Sequence, residues 1–526
     1  MTRKTLKIIN FTLLVLIIIG AFWVRSFNIE NAPSGIYPDE AENGMDAYIA
    51  SQTGTYELFY TGNNGREGLY INLQALGIKL FGTSMLSLKL WSIIFGTLTV
   101  YGTYLLTKQL FRSARSGLIT AYLVAFSFWS INFSRIGFRA IMLPAVITFS
   151  AYFLFRGIRT KKYIHFISAG LIFGIGLHTY IAFRITPAIL FILFIALWIT
   201  KKDFIKDYWK QALIFIMAAF ITMAPMINDF YQNPEHLGSR AASISILNPE
   251  VNQGHLVKIA IENIGLSLAK YTFWGDPNWR HNYPPYPVLH PLLGITFIIG
   301  LIYIIIKFFH LLHLRFKHKI RDRKLYVYSF ILAWFFGMLA PEFLSVGLPH
   351  SLRAIGTLPV TYIIATVPIL WILGKVDQLN YTPKLLTYSV IIILLASIGV
   401  FNTVKYHVFW ANNENQYISF DKYLKEISDY TKNLPASTEK YIVADQYTSL
   451  PIRFLNADVE KMNYVWDVHV PYISPKDNDF VIIMTHPEEK IHNQVLEKFP
   501  DIKEVRSARN GGGYFIEFTY RNSTMK

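Results

Sequence analysis

Apolar residues in this chain gather in long runs separated by short polar stretches. The runs lie near 8–24, 85–107, 117–133, 139–155, 164–180, 185–200, 211–227, 290–308, 325–341, 354–373 and 384–402. Each approaches the length of about 20 residues that a bilayer core requires, so eleven membrane-crossing helices are expected. The first run follows Arg3, Lys4 and Lys7, and no small-residue cleavage site comes after it. It is therefore expected to stay as a helix rather than leave as a secretory signal. The polar connectors alternate in character. Every second one is basic: Lys108, Arg112 and Arg115; Arg156, Arg159, Lys161 and Lys162; Lys201, Lys202, Lys206 and Lys210; the run Lys307 to Lys324; and Lys375 with Lys384. The positive-inside rule puts these, and the N-terminus, in the cytoplasm. The connectors 25–84, 134–139, 180–184, 228–289 and 342–353 are then outside, and an odd helix count puts everything after 403 outside with them.

Two stretches of the first outer connector, Asn43–Ser51 and Leu69–Leu80, have helical spacing but are too short or too polar to span, as expected for helices on a membrane surface. The glycine-rich turn Thr61–Gly68 separates them. Hydrophobicity falls from about 403 onward, which divides the chain into a transmembrane domain, 1–402, and an extracytoplasmic α/β domain, 403–526. In the latter, Tyr441–Ala444 and Phe480–Met484 read as buried strands and Glu488–Phe499 as an amphipathic helix. Tyr514–Tyr520 reads as a strand entered through a Gly511–Gly513 turn.

Composition agrees with a polytopic α-helical membrane protein: 52% of the 526 residues are hydrophobic and only 16% are charged. The net charge of +16 does not indicate nucleic acid, because the lysines and arginines recur in short clusters between apolar runs instead of forming one basic face. The chain has no cysteine, which excludes disulfides, thiolate metal sites and cysteine nucleophiles.

The residue types with unusual chemistry lie in the outer connectors. Gly35 to Gly44 carries the adjacent carboxylates Asp39 and Glu40, one loop beyond the first membrane helix. They are placed either to charge the first turn of a helix starting at Pro38 or to act on a hydroxyl at the membrane boundary. Arg66 and Glu67 follow the glycine-rich turn. Arg135 and Arg139, four apart, are expected on one helical face at the start of a span. Tyr180 and Arg184 belong to the next outer connector. The long loop 228–289 holds Asp276, Arg280 and His281 among tryptophans and tyrosines, and 342–353 holds His350 and Arg353. Taken singly, each arginine reads as an interfacial side chain whose head reaches water. As a set on the outer side, Arg135, Arg139, Arg184 and Arg353 run against the positive-inside bias and ask for an anion such as a lipid phosphate. His281 and His350 lack HxxxH or HxH spacing, so no metal site is expected. A divalent metal is compatible with these residue types but is not indicated.

A first membrane helix, then Tyr37-Pro38-Asp39-Glu40-Ala41 in a long outer loop with surface helices, then many spans and an outer C-terminal domain: this order resembles the GT-C glycosyltransferases. It is most similar to the branch of protein O-mannosyltransferases and lipid A aminoarabinose transferases, glycosyltransferase family 39 and its relatives. The resemblance covers roughly 8–375 and not the C-terminal domain. It implies a polyprenyl-phosphate-linked sugar as donor, transfer on the outer face, and Asp39 at the family's catalytic acidic position. With a phosphate leaving group no general acid is required. Asp39 is then expected to deprotonate the acceptor hydroxyl with Glu40 or Glu67 positioning, while one or two of the arginines hold the phosphate, in a single inverting displacement. Arg66, Tyr180, Asp276, Arg280, His281 and His350 complete the expected substrate-binding set. The expected partners are the lipid-linked sugar, a lipid, glycan or protein acceptor, and membrane lipids, with no nucleic acid and no certain cofactor.

The competing class is a transporter or lipid flippase, for which Gly174 and Gly176 within one span supply a break. Against it, the strongest polar groups lie at span ends on one side rather than at the bilayer midplane. A receptor reading leaves the Asp-Glu stretch and the outer arginines unexplained.

Overall fold

In the computed structural model, which describes residues 2–242, 244–476, 479–486, 488–508 and 514–520, the apolar runs are helical. Among the described residues nine helices are long and apolar enough to cross a membrane: Arg3–Ser26, Met85–Phe111, Arg139–Thr160, Ile181–Thr200, Phe204–Gln232, Pro291–Lys317, Arg323–Phe343, Ile355–Val376 and Tyr381–Trp410. The chain is a multi-pass membrane protein. The two remaining expected spans form shorter helices. The run 117–133 is broken into Ala114–Ala125 and Phe128–Phe133, because the Ser127 hydroxyl accepts the Ser130 amide and starts a new helix there. The run 164–180 is an α-helix only over Tyr163–Ile175, then a tight turn to His178.

The chain divides into two compact units. The first comprises 1–27, 57–70 and 92–408 and contains most of the membrane helices. Small residues let its helices approach closely. A Cβ added at Gly174 would lie 2.3 Å from the Ala219 carbonyl oxygen, so this glycine serves packing against Phe204–Gln232. That removes one of the two glycines that suggested a broken transporter helix. In the same unit a two-strand hairpin, β1 (Phe59–Tyr60) and β2 (Arg66–Glu67), pairs antiparallel with Tyr60 opposite Arg66.

The second unit comprises 28–56, 71–91 and 409–526. Its centre is a mixed sheet of β3 (Glu439–Val443), β4 (Met462–Val465), β5 (Phe480–Met484), β6 (Lys503–Ala508) and β7 (Tyr514–Tyr520), in the order β4-β3-β5-β7-β6. β3 runs parallel to β4 and β5, and β7 runs antiparallel to β5 and β6. Both faces of the sheet are covered, which is why β5 and the Tyr441–Val443 part of β3 are apolar without alternation. Tyr441, Val443, Ile482 and Phe518 pack on one side, and Ile442, Val481, Ile483 and Leu424 on the other. The expected strands and the amphipathic helix, here Glu489–Lys498, are present. The Gly511–Gly513 turn lies outside the described residues. Helix Pro38–Thr53 belongs to this unit and packs against helix Gln446–Leu455.

Candidate functional site

Pro38 presets the first helical φ of Pro38–Thr53, and Asp39 and Glu40 follow in the first turn, where the helix dipole favours negative charge. Neither caps the helix end, since Tyr37 occupies the cap position and its side chain makes no capping hydrogen bond. The two neighbours then differ. Asp39 is partly exposed and accepts a hydrogen bond from the Tyr447 hydroxyl at 3.2 Å. Tyr447 sits at the start of a helix that Asp445 caps through the Tyr447 and Thr448 amides. Glu40 is fully buried, and neither of its carboxylate oxygens has a hydrogen-bond partner among the described residues. Burial pushes its carboxyl up to about 7, against the opposing pull of the Lys89 charge. One carboxylate of the pair is therefore open for proton transfer from solvent or substrate, and the other titrates near neutrality.

In the membrane unit, β2 delivers Glu67 to Arg139, and the two form a buried ion pair with Nε to Oε2 at 2.6 Å. The Arg139 guanidinium also lies 5.8 Å from the Tyr180 ring centre. Arg66 is buried and donates to the Gly62 carbonyl, which closes the glycine-rich turn. A cavity of about 490 Å³ opens among Tyr180, Arg184, His350 and Arg353, with Ile181, Ile185, Leu344 and Leu352 giving it an apolar wall. Arg353 donates to the Ser345 hydroxyl at 2.6 Å and to the Val346 carbonyl, and Arg184 donates to the Leu237 carbonyl and stacks over Phe230. These contacts anchor both guanidiniums at the cavity wall.

The arginines of the expected set are not equivalent. Arg135 and Arg139 do not share a helical face, because Gly137, at φ +59, turns the chain between them. Arg135 is fully buried and donates to the Val24 and Arg25 carbonyls and to the Tyr406 hydroxyl. Arg25, which sequence reasoning passed over, is equally buried. It binds the Ala21 and Ala125 carbonyls and the Ser130 and Ser134 hydroxyls. Together they tie the end of the first membrane helix to 124–135.

The loop after helix Leu256–Ala269 brings Asp276 and His281 against His350, with ligand atoms of all three within 4.8 Å of one another. Asp276 Oδ2 accepts from the Ser351 amide at 2.6 Å and lies 3.2 Å from His281 Nδ1, while Oδ1 accepts from the Asn278 amide at 2.9 Å. The two imidazole centres are 4.7 Å apart. Burial by itself would raise the Asp276 carboxyl. The hydrogen bond and charge of His281, the charge of His350 and the Ser351 amide outweigh it and bring the carboxyl to about 2. Burial, reinforced by the His281 and Arg353 charges, holds the His350 imidazole well below its ordinary value. Behind this group lies the fully buried pair of Lys270 and Glu342, and Glu342 Oε1 accepts the His350 amide at 2.9 Å. The Arg280 backbone carbonyl accepts from Asn132 at 2.8 Å. Sequence spacing hid the group, but a carboxylate at the end of the apolar run 325–341 signals a buried partner.

Residues 69–227 match the family model of dolichyl-phosphate-mannose-protein mannosyltransferases. No protein of curated function matches the chain. Among solved structures, ArnT from Cupriavidus metallidurans bound to undecaprenyl phosphate is similar over 99% of both chains, at 12% identity and a TM-score of 0.54. The apo state of the same protein gives a TM-score of 0.52, also at 12% identity, over 98% of both chains. The Archaeoglobus fulgidus oligosaccharyltransferase tethered with an acceptor peptide containing the NVT sequon is similar over 95% of this chain and 69% of that one, at 13% identity and a TM-score of 0.51. The chain thus has the GT-C fold, and its resemblance to the GT-C glycosyltransferases is carried by the family model and by the fold alike.

Proposed function

We propose that this protein is a membrane glycosyltransferase that moves a sugar from a polyprenyl-phosphate donor to a hydroxyl of a lipid, glycan or protein acceptor on the outer face of the membrane. The observation that carries the reading is the wall of the 490 Å³ cavity, where Arg184 and Arg353 stand beside isoleucines and leucines. A charged pair against an apolar lining suits a phosphate that carries a prenyl chain, and a guanidinium can meet two phosphate oxygens at once. The ArnT relative is bound to undecaprenyl phosphate and the oligosaccharyltransferase to an acceptor peptide, which supports a lipid-borne donor and a separate acceptor.

In this reading Asp39 takes the proton of the acceptor hydroxyl, and the acceptor oxygen forms its bond to the anomeric carbon as the bond from that carbon to the phosphate oxygen breaks. The polyprenyl phosphate leaves with one more negative charge, which Arg184 and Arg353 neutralise. One displacement inverts the anomeric centre. Tyr447 orients Asp39, and the Glu67–Arg139 pair holds the Tyr180 side of the donor site. The basic connectors support an orientation with residues 403–526 outside and the N-terminus in the cytoplasm. The test is incubation of the purified protein in nanodiscs with a panel of radiolabelled polyprenyl-phosphate sugars and acceptors. Label leaving the lipid for an acceptor, with inverted anomeric configuration by NMR, is the expected result. Movement of intact donor across proteoliposome membranes without a transfer product would overturn the reading.

A further inference from the structure

We infer that a groove on the basic side of the membrane unit is a binding site for one anionic phospholipid, with its phosphate on Arg315 and an acyl chain between three membrane helices. Helices Ile181–Thr200, Pro291–Lys317 and Arg323–Phe343 enclose an apolar space of about 320 Å³, walled by Ile195, Ile199, Phe308, Leu312, Leu325 and Leu332 among others. Along the third helix it runs from Leu325 to Phe336, roughly 16 Å at the rise of an α-helix, which is about the depth of one leaflet's hydrocarbon. Its one hydroxyl among the wall residues, on Ser329, donates to the Leu325 carbonyl at 2.8 Å. Arg315 stands at the mouth: three residues beyond Leu312 on the same helical face, it donates through Nε to the carbonyl of the wall residue Ile199 at 2.6 Å. A side chain that reaches for water, or that caps the last carbonyls of a neighbouring helix, would account for that bond. It does not account for the two guanidinium amino groups, which have no hydrogen-bond partner among the described residues and lie beside an apolar groove.

Charge and depth select the occupant. Two unpaired amino groups on one guanidinium can meet two oxygens of a single phosphate. Lys202, three residues after Ile199, and Lys324, directly before Leu325, are exposed and make no ion pair among the described residues. Asp322 turns its Oδ1 to the Lys324 amide and so caps the third helix. Basic side chains gathered at the end of membrane helices favour a lipid of net negative charge over a zwitterionic one. A prenyl chain coming from the 490 Å³ cavity is the competing occupant, because helices Ile181–Thr200 and Arg323–Phe343 border both spaces. Between Ile185 on the cavity wall and Ile192 on the groove wall, however, buried Ile189 packs on Gly337, where an added Cβ would lie 2.9 Å from Ile189 Cγ1. That close contact separates the two spaces along the seam.

The full-length protein, delipidated in detergent and titrated with dioleoyl phosphatidylglycerol or dioleoyl phosphatidylcholine, tests the assignment by native mass spectrometry. Transfer activity plays no part, so failure here and failure of the glycosyltransferase reading are distinguishable. The wild type is expected to hold one phosphatidylglycerol per chain at least tenfold more tightly than phosphatidylcholine. Arg315→Gln should erase that preference, and Ala333→Phe, which fills the groove, should weaken both lipids, with thermal unfolding confirming that each variant is folded. Phosphatidylglycerol with a photoreactive diazirine in its acyl chain needs no variant and is expected to label residues 192–199, 308–312 and 325–336 of the wild type. Equal affinity of the wild type for the two lipids, an undiminished preference in folded Arg315→Gln, or labelling confined to other segments overturns the assignment. So does preferential labelling of the same segments by a diazirine-bearing polyprenyl phosphate, which would give the groove to a prenyl chain.

Discussion

Glu67 meets Arg139 across 72 residues of sequence in a buried ion pair of 2.6 Å, and each is the other's compensation for leaving water. Removing one partner strands a buried charge at a cost of about 3–5 kcal/mol, whereas replacing both with isosteric neutral groups costs far less. Arg139→Ala is therefore expected to lower the thermal midpoint in detergent substantially, and Glu67→Gln/Arg139→Met to recover most of the loss. A double variant no more stable than Arg139→Ala would show that the pair is not energetically coupled.

Asp39 and Tyr447 give a graded pair of activity predictions. General-base catalysis contributes roughly 10² to 10⁴ in rate, so Asp39→Asn should reduce transfer by about that factor with the protein still folded. Tyr447→Phe removes one hydrogen bond to the carboxylate and should cost about tenfold or less. Near-normal turnover of purified Asp39→Asn would reject it as the base.

The arginines separate by task. Arg184→Ala and Arg353→Ala should each weaken polyprenyl-phosphate affinity by about tenfold to a hundredfold, the worth of a charge-assisted hydrogen bond of roughly 1.5–3 kcal/mol. Arg135→Ala should instead destabilise the fold, because its guanidinium is bound by the Val24 and Arg25 carbonyls and by Tyr406. Donor titration beside thermal unfolding reads the difference. Equal donor affinity in Arg184→Ala, Arg353→Ala and wild type would remove both from the phosphate site.

Glu40 makes stability depend on pH. Its folded carboxyl, at about 7, lies above the ordinary glutamate value of 4.5, so the folded state holds a proton that the unfolded chain releases. The contribution is fully present below about pH 4.5 and is lost as pH rises through about 7, at most roughly 3 kcal/mol by linkage. Glu40→Gln should flatten the fall in thermal midpoint across that window. An unchanged slope would mean that another group sets it.

The membrane helices were legible because bilayer thickness imposes one length on every apolar run, and Tyr441–Ala444 and Phe480–Met484 in the sheet because burial on both faces favours apolar residues without alternation. The edge strands Met462–Val465 and Lys503–Ala508 escaped notice: half-exposed or charged, they resemble loops. Break points set by one hydroxyl, as at Ser127, or one glycine, as at Gly137, override an otherwise continuous pattern. The proximity of Asp276 and His281 to His350 depends on two loops folding back on each other, which no local spacing encodes.

Because helix Pro38–Thr53 belongs to the same compact unit as residues 409–526, its packing partner Gln446–Leu455 is synthesised nearly four hundred residues later. During translation the Asp39 segment waits unseated while the intervening membrane helices insert. A chain released before Tyr447 exists would lack the hydroxyl that donates to the Asp39 carboxylate.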